Sequence, residues 1–165
     1  MKTIQNIAAC ALLVSASVAF SHENTPHPSA SSPAAQERKA WGIAGATKAV
    51  VRTITIRMTD DMRFAPNKIE VREGETVRLR AENKGKVLHA IVIGTKADLE
   101  AHAEMMQKHP GMEHDEPSMA HVGAGQRGDI VWTFNRPGTF DFACLIAGHY
   151  QAGMTGTITV LARKT

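Results

Sequence analysis

Three side chains that bind soft metal ions are evenly spaced near the C-terminus. Cys144, His149 and Met154 are separated from one another by four residues, and Gly148 and Gly153 lie between them. Segments with the two-residue alternation of β-strands come before and after this stretch. Because glycine allows a chain to turn tightly, the pattern predicts a short loop between two neighbouring strands. This loop would present a thiol, an imidazole and a thioether at one end of a sheet.

Short alternating segments separated by Gly, Pro and Asn turns recur along the rest of the chain. Such spacing is typical of an antiparallel sandwich or barrel. The turn Glu73-Gly-Glu75 predicts that the second and third segments form a hairpin. The predicted strands cover residues 51–58, 69–71, 76–81, 88–93, 130–134, 139–143 and 156–161.

One region interrupts this pattern and is predicted to be an insertion of residues 95–122 between two strands. Residues 95–106 carry helix-forming side chains with Leu99 and Met106 at helical spacing, and a polar stretch follows. Imidazole and thioether groups are copper ligands, and thioethers prefer Cu(I). Packing of the helix on the sandwich is the alternative role for its methionines. The candidate secondary copper-binding residues are His102, Met105, Met106, His109, Met112, His114, Met119 and His121.

The N-terminus has the features of a secretory signal peptide over residues 1–21. A Lys follows Met1, the next stretch is apolar, and small residues precede cleavage points after Ala19 or Ser21. The apolar run is too short to span a bilayer. Residues 22–47, rich in Ser, Pro, Ala and Thr, are predicted to be a flexible linker, although Trp41 is unusual there. The expected domain covers residues 48–165.

Removal of the signal peptide would leave a single cysteine. The chain has two cysteines, Cys10 and Cys144, and Cys10 lies inside the predicted signal. A lone thiol in an oxidising compartment has no disulfide partner and is open to oxidation. Binding of a metal ion would explain why Cys144 is tolerated, and deep burial is the alternative explanation.

The residue types favour copper over other metals. A thiolate, two imidazoles and a weak axial thioether form the ligand set of type 1 copper. His89, on a predicted strand, supplies the second imidazole, so the expected ligands are His89, Cys144, His149 and Met154. Zinc accepts similar ligands, but an axial Met favours copper. A c-type haem is excluded because the chain has no Cys-x-x-Cys-His motif.

The ligand segment resembles the Cys-x-x-Pro-Gly-His-x-x-x-x-Met loop of the cupredoxins, with Ala147 in place of the Pro. The resemblance runs from about residue 38 to residue 160 and is greatest to small periplasmic cupredoxins of copper-tolerance systems, which share a Met/His-rich insertion. It implies a Greek-key β-sandwich with one mononuclear copper. Further matching segments are Arg63-Phe-Ala-Pro66, Glu73-Gly-Glu-Thr-Val77, Asn83-Lys-Gly85 and His89-Ala-Ile-Val-Ile-Gly94.

Two functions fit these observations. The first is copper handling and tolerance in the periplasm, because an electron carrier does not need a Met/His-rich insertion. The second is electron transfer between periplasmic redox partners. An enzyme is not expected, because the His-x-His pairs that mark additional copper centres are absent from the sequence. A net charge of +3 without a basic run does not suggest nucleic-acid binding. The expected partners are copper ions and a periplasmic redox or copper-transport protein, and the expected state is a monomer.

Overall fold

The architecture is a sandwich of two β-sheets with one α-helix, seen in a computed structural model that describes residues 38–112 and 114–164. The strands are β1 Arg38–Lys39, β2 Gly42–Ala44, β3 Arg52–Thr59, β4 Arg63–Ala65, β5 Lys68–Arg72, β6 Thr76–Asn83, β7 His89–Gly94, β8 Met119–Val122, β9 Arg127–Phe134, β10 Gly138–Ala143 and β11 Thr155–Leu161. The helix α1 is Lys96–Lys108, and a short 3-10 helix covers Thr47–Ala49. The all-β class with a short helix is confirmed.

The two sheets are built from strands that are distant in sequence. The first sheet has the order β1-β2-β9-β6-β3-β4, and the second has the order β5-β11-β10-β7-β8. Most neighbouring strands are antiparallel, but β3 pairs with β6 and β5 pairs with β11 in parallel. In the second sheet, β10 lies between β7 and β11. This order places the start of β7 beside the end of β10, where His89 and Cys144 occur.

Alternating apolar side chains fill the space between the sheets. On β9, whose residues 130–134 were predicted to be a strand, the alternating side chains Ile130, Trp132 and Phe134 are buried. Ile56 and Met58 of β3 are buried with them. Burial of such large apolar side chains contributes on the order of 1.5–3 kcal/mol each relative to exposure. The scaffold under the candidate site is therefore a continuous hydrophobic core.

Helix α1 covers the outer face of the second sheet. The Thr95 side chain caps its N-terminus by accepting a hydrogen bond from the backbone N–H of Asp98 (3.2 Å). Leu99, Ala103 and Met106 are its buried residues and pack with Val92 of β7. As a result, every residue of β7 is buried, which makes it a firm support for the first imidazole. Within the described residues, no helix is long and apolar enough to cross a bilayer.

The structure differs from the sequence-based expectations in three places. The predicted hairpin of residues 69–71 and 76–81 is wrong, because β5 and β6 belong to different sheets and the Glu73-Gly-Glu75 turn passes between them. The predicted insertion ends in a strand, β8, which pairs with β7. Strands β1 and β2 lie within the segment expected to be a linker, and Trp41 is buried against Trp132. Residues 22–37 of the expected linker and the expected signal peptide lie outside the described residues.

Candidate metal centre

The first imidazole is buried and has one nitrogen without a partner. His89 begins β7 and is 0% exposed. Its Nε2 lies 3.2 Å from Oδ1 of Asp60, whereas its buried Nδ1 has no hydrogen-bond partner among the described residues. A carboxylate only accepts hydrogen bonds, so it favours a proton on Nε2 and a lone pair on Nδ1. An unpaired buried nitrogen is costly, and a metal ion in contact with Nδ1 would remove that cost.

The thiol of Cys144 directly follows β10 and faces two backbone donors, those of Ala90 and Ile146. Cys144 is fully buried and forms no disulfide within the described residues, and its Sγ accepts a hydrogen bond from the backbone N–H of Ala90 (3.2 Å). Burial raises the pKa of the Cys144 thiol, and hydrogen bonds from the Ala90 and Ile146 backbones act in the opposite direction. The metal-free thiol therefore keeps its proton at neutral pH, and binding of a metal by the thiolate would release it.

The second imidazole belongs to the loop between β10 and β11. Nδ1 of His149 lies 3.2 Å from Sγ of Cys144, and the rings of His149 and His89 have centroids 5.0 Å apart. Partial burial lowers the pKa of His149, and the nearby His89 lowers it further. The neutral imidazole, which is the form that binds metals, is thus favoured at neutral pH.

The loop is held in shape by its own backbone. Cys144 N–H donates to the Met154 carbonyl (3.1 Å), and Met154 N–H donates to the His149 carbonyl (3.1 Å). Gly148 and Gly153 adopt positive φ angles of 86° and 88°, a conformation that glycine adopts without steric cost. These contacts fix the spacing of the three loop residues before any metal binds.

Arg63 and Gly156, which lie outside the loop, also support its position. The guanidinium of Arg63 donates to the Ala152 carbonyl (3.0 Å) and so anchors the loop to β4. Met154 is 0% exposed and lies in the same core cluster as Cys144. Gly156 lies opposite Phe142 in the β10–β11 pair, and any side chain there would overlap the Phe142 ring. The glycine therefore allows an aromatic ring to fill the core directly below the loop.

The structure thus brings three of the four expected copper ligands into one group. The ligand atoms of His89, Cys144 and His149 all lie within 4.8 Å of one another. One thiol and two imidazoles, with a buried methionine on the same loop, are the donor types of a type 1 copper site. The chemistry of the donor set and the unpaired Nδ1 of His89 both fit a bound copper ion.

The eight residues of the predicted secondary group are not all together. One small cavity between α1 and β8 is lined by His102, Met106, His114, Met119 and His121. The rings of His102 and His114 are stacked with centroids 4.8 Å apart. The other three residues of the predicted group are exposed and do not line this cavity; they are Met105, His109 and Met112. Met106 and Met119 are buried in the cluster that packs α1 on the sheet.

Two supporting residues were missed by the sequence analysis. Asp60 contacts His89 across 29 positions of sequence, and its acidic side chain in a turn gave no signal of that contact. Asn83 is buried, and its side-chain amide donates to the carbonyls of Val87 and Val122 (2.8 and 2.9 Å). An Asn in a predicted turn was the available signal. The backbone N–H groups that face the Cys144 thiol belong to Ala90 and Ile146.

The sandwich and the Cys/His/His group at one end of it define a cupredoxin-type copper protein. Residues 50–161 match the family described as copper binding proteins, plastocyanin/azurin family. The chain belongs to this family, and its donor set fits one type 1 copper.

Individual relatives place the chain more narrowly among the cupredoxins. It is 48% identical to the copper-resistant cuproprotein CopI of Rubrivivax gelatinosus, over 73% of each chain. It is 33% identical to the protein of the same name from Pseudomonas aeruginosa, over 74% of this chain and 83% of the relative. The crystal structure of auracyanin B has the same fold, with a TM-score of 0.59 at 24% identity, over 73% of this chain and 94% of that chain. The chain is therefore a cupredoxin similar to the CopI proteins.

Proposed function

We propose that this protein is an exported copper-handling protein that contributes to copper tolerance. In this proposal, His89, Cys144, His149 and Met154 bind one redox-active type 1 copper. The observation that carries it is the unpaired, buried Nδ1 of His89, which belongs to the same compact ligand group as Cys144 and His149. The similarity to copper-resistant cuproproteins supports tolerance as the biological role.

We also propose where the copper domain begins, that the chain carries an export signal, and in which compartment the protein works. Residues 1–21 act as a signal peptide, a linker follows, and the copper domain begins by Arg38, where β1 starts. An exported protein would work in the periplasm. Its role is binding rather than catalysis, because the sequence lacks the His-x-His pairs of multicopper enzymes.

We propose the cavity between α1 and β8 as a second copper-binding surface. Its three imidazoles and two thioethers suit copper, and the rings of His102 and His114 stack with their centroids 4.8 Å apart. The three exposed residues of the predicted group, Met105, His109 and Met112, would at most assist capture from solution. This surface would supply or buffer copper beside the main site.

Electron transfer remains a second candidate because of the surface beside the ligand loop. An apolar surface pocket is lined by Leu88, Pro110, Ile146 and Ala147. Two of these residues, Leu88 and Ala147, are exposed. An apolar surface next to a copper ligand suits transient docking of a redox protein, which needs little buried area. In this role the partner would be a periplasmic redox protein.

Growth of a deletion strain in copper separates the two roles. We expect the strain to become copper-sensitive while its respiration without added copper stays normal. Complementation with the wild-type gene should restore tolerance, and complementation with Cys144→Ala should not. A respiratory defect without copper sensitivity would instead favour electron transfer and contradict the tolerance role.

A further inference from the structure

We infer that Asp60 is a positioning residue for the copper ligand His89 and lowers the reduction potential of the site. The inference rests on the proposed function, because it takes His89 as a ligand. Asp60 lies in the turn between β3 and β4, outside the segments that carry the predicted ligands. Its carboxylate is the hydrogen-bond partner of the His89 ring, with Oδ1 3.2 Å from Nε2.

The carboxylate is itself held by the chain that leads into β7. Lys86 N–H donates to Oδ2 of Asp60 (2.8 Å). Gly85 packs so closely on this carboxylate that a side chain at position 85 would overlap it. Asn83 fixes the same turn by accepting a hydrogen bond from Gly85 N–H (2.8 Å). The carboxylate therefore has a fixed position relative to the His89 ring.

This arrangement determines which nitrogen of His89 can bind copper. The acceptor-only carboxylate holds the proton on Nε2 and leaves the lone pair on Nδ1, which is the buried atom without a partner. Outer partners of ligand imidazoles fix the tautomer and raise ligand basicity, and their loss typically costs 10–100-fold in metal affinity. Without Asp60, a share of the apo protein would hold the proton on Nδ1 and would be unable to bind.

The charge of Asp60 affects the two oxidation states differently. A carboxylate bonded to a ligand ring attracts Cu(II) more strongly than Cu(I), because the energy scales with the charge of the ion. Asp60 is 38% exposed, so water and salt screen part of this effect. Its removal should lower Cu(II) affinity more than Cu(I) affinity and so raise the reduction potential.

Asp60→Asn and Asp60→Ala test the inference, with Asp61→Asn as the matched control. Asparagine keeps an acceptor oxygen but removes the charge, and alanine removes both. Asp61 is an exposed neighbour in the same turn whose carboxylate bonds to the Thr59 hydroxyl. The probes are the copper-loaded full-length protein for the potential and the metal-free protein for the ring protons, which nitrogen NMR of the His89 ring reports.

We expect Asp60→Asn to lower the ratio of Cu(II) affinity to Cu(I) affinity by about tenfold. For a one-electron couple this raises the reduction potential by about 59 mV. Asp61→Asn should change the ratio by less than about threefold. In metal-free Asp60→Ala, the His89 ring should show both tautomers, whereas the wild type shows the Nε2–H form. Equal potentials for the two Asn variants, or a single Nε2–H tautomer in Asp60→Ala, would overturn the inference.

Two other results, misfolding of Asp60→Asn and a wild-type protein without thiolate-to-copper absorption, also have a definite meaning. If Asp60→Asn fails to fold, Asp60 belongs to the architecture alone and the positioning role is rejected. If the wild-type protein shows no thiolate-to-copper absorption, the proposed function fails, but the tautomer measurement on metal-free protein still decides whether Asp60 positions His89. The two failures are therefore distinguishable.

Discussion

The described part of the chain has two groups of histidine and sulfur side chains, and they are built in opposite ways. The group at the ligand loop is fixed by strands β7 and β10 and by backbone hydrogen bonds that join Cys144, His149 and Met154. The group of the insertion is spread over α1, the chain after it and β8. In the first group Cys144 and His89 are completely buried. In the second, His102, His114 and His121 are only partly buried.

This contrast shows that residue composition alone does not define a metal site. The insertion is richer in potential ligands, yet two of its sulfurs, Met106 and Met119, also pack the helix on the sheet. The ligand loop has fewer such residues, but each has its backbone or side chain held in place. A preformed, buried site favours one defined metal geometry, whereas a partly exposed group favours exchange of metal with the solution.

The largest expected effect follows from removal of the thiol. Cys144→Ala should abolish the thiolate-to-copper absorption completely, because the sulfur supplies the short bond of the type 1 site. The protein should lose about one equivalent of bound copper and keep any copper held by the insertion. Visible absorption with a copper count on the same sample measures both. Retention of the band in Cys144→Ala would contradict the assignment of the thiolate.

A smaller effect is expected at the insertion. The triple change His102→Gln, His114→Gln and His121→Gln should lower the number of bound copper equivalents while leaving the absorption of the main site intact. Met106 and Met119 are retained so that the packing of α1 is preserved. His109→Gln is the matched control, since His109 is exposed and outside the cavity. Equal copper stoichiometry in the triple variant and the wild type would reject the second surface.

The smallest effect concerns the pH dependence of stability. Burial lowers the pKa of His102, and His114 lowers it further. In the unfolded chain the His102 imidazole is therefore protonated near pH 6.5, whereas in the folded metal-free protein it is protonated only at lower pH. The free energy of unfolding falls as the pH drops below that value. His102→Gln should lose less stability between pH 7.5 and pH 5 than the wild type.

Chemical denaturation of metal-free protein at these two pH values measures the difference. His109→Gln serves again as the control and should follow the wild type. An identical loss of stability in His102→Gln and the wild type would show that His102 is not the titrating group. The same measurement tests whether the insertion histidines are buried enough to respond to pH.

Local patterns predicted the strands well, because alternation reports directly which face of a strand is buried. Ile130, Trp132 and Phe134 illustrate this, since their alternation predicted the buried face of β9. A helix over residues 95–106 was also predicted, because helix-forming side chains and helical spacing are local signals. The pairing of strands was less predictable. The turn at Gly74 looks the same in sequence whether it joins two strands of one sheet or crosses between sheets.

Long-range contacts explain what the sequence could not provide. The loop residues Cys144, His149 and Met154 were identifiable because their spacing is local, and their proximity follows from one turn. The partner of His89 was not identifiable, because Asp60 approaches it only after β3 and β7 have taken their places in different sheets. Likewise, burial of Trp41 depends on the first sheet being complete.

The visible spectrum of the Cu(II)-loaded wild-type protein, recorded with a metal count, tests most directly whether the four proposed ligand side chains bind one type 1 copper. The proposed site predicts an intense thiolate-to-copper charge-transfer band that saturates at about one equivalent of copper. Any further equivalents should bind without increasing that band. A protein that binds copper without a charge-transfer band would contradict the proposed ligand set of His89, Cys144, His149 and Met154.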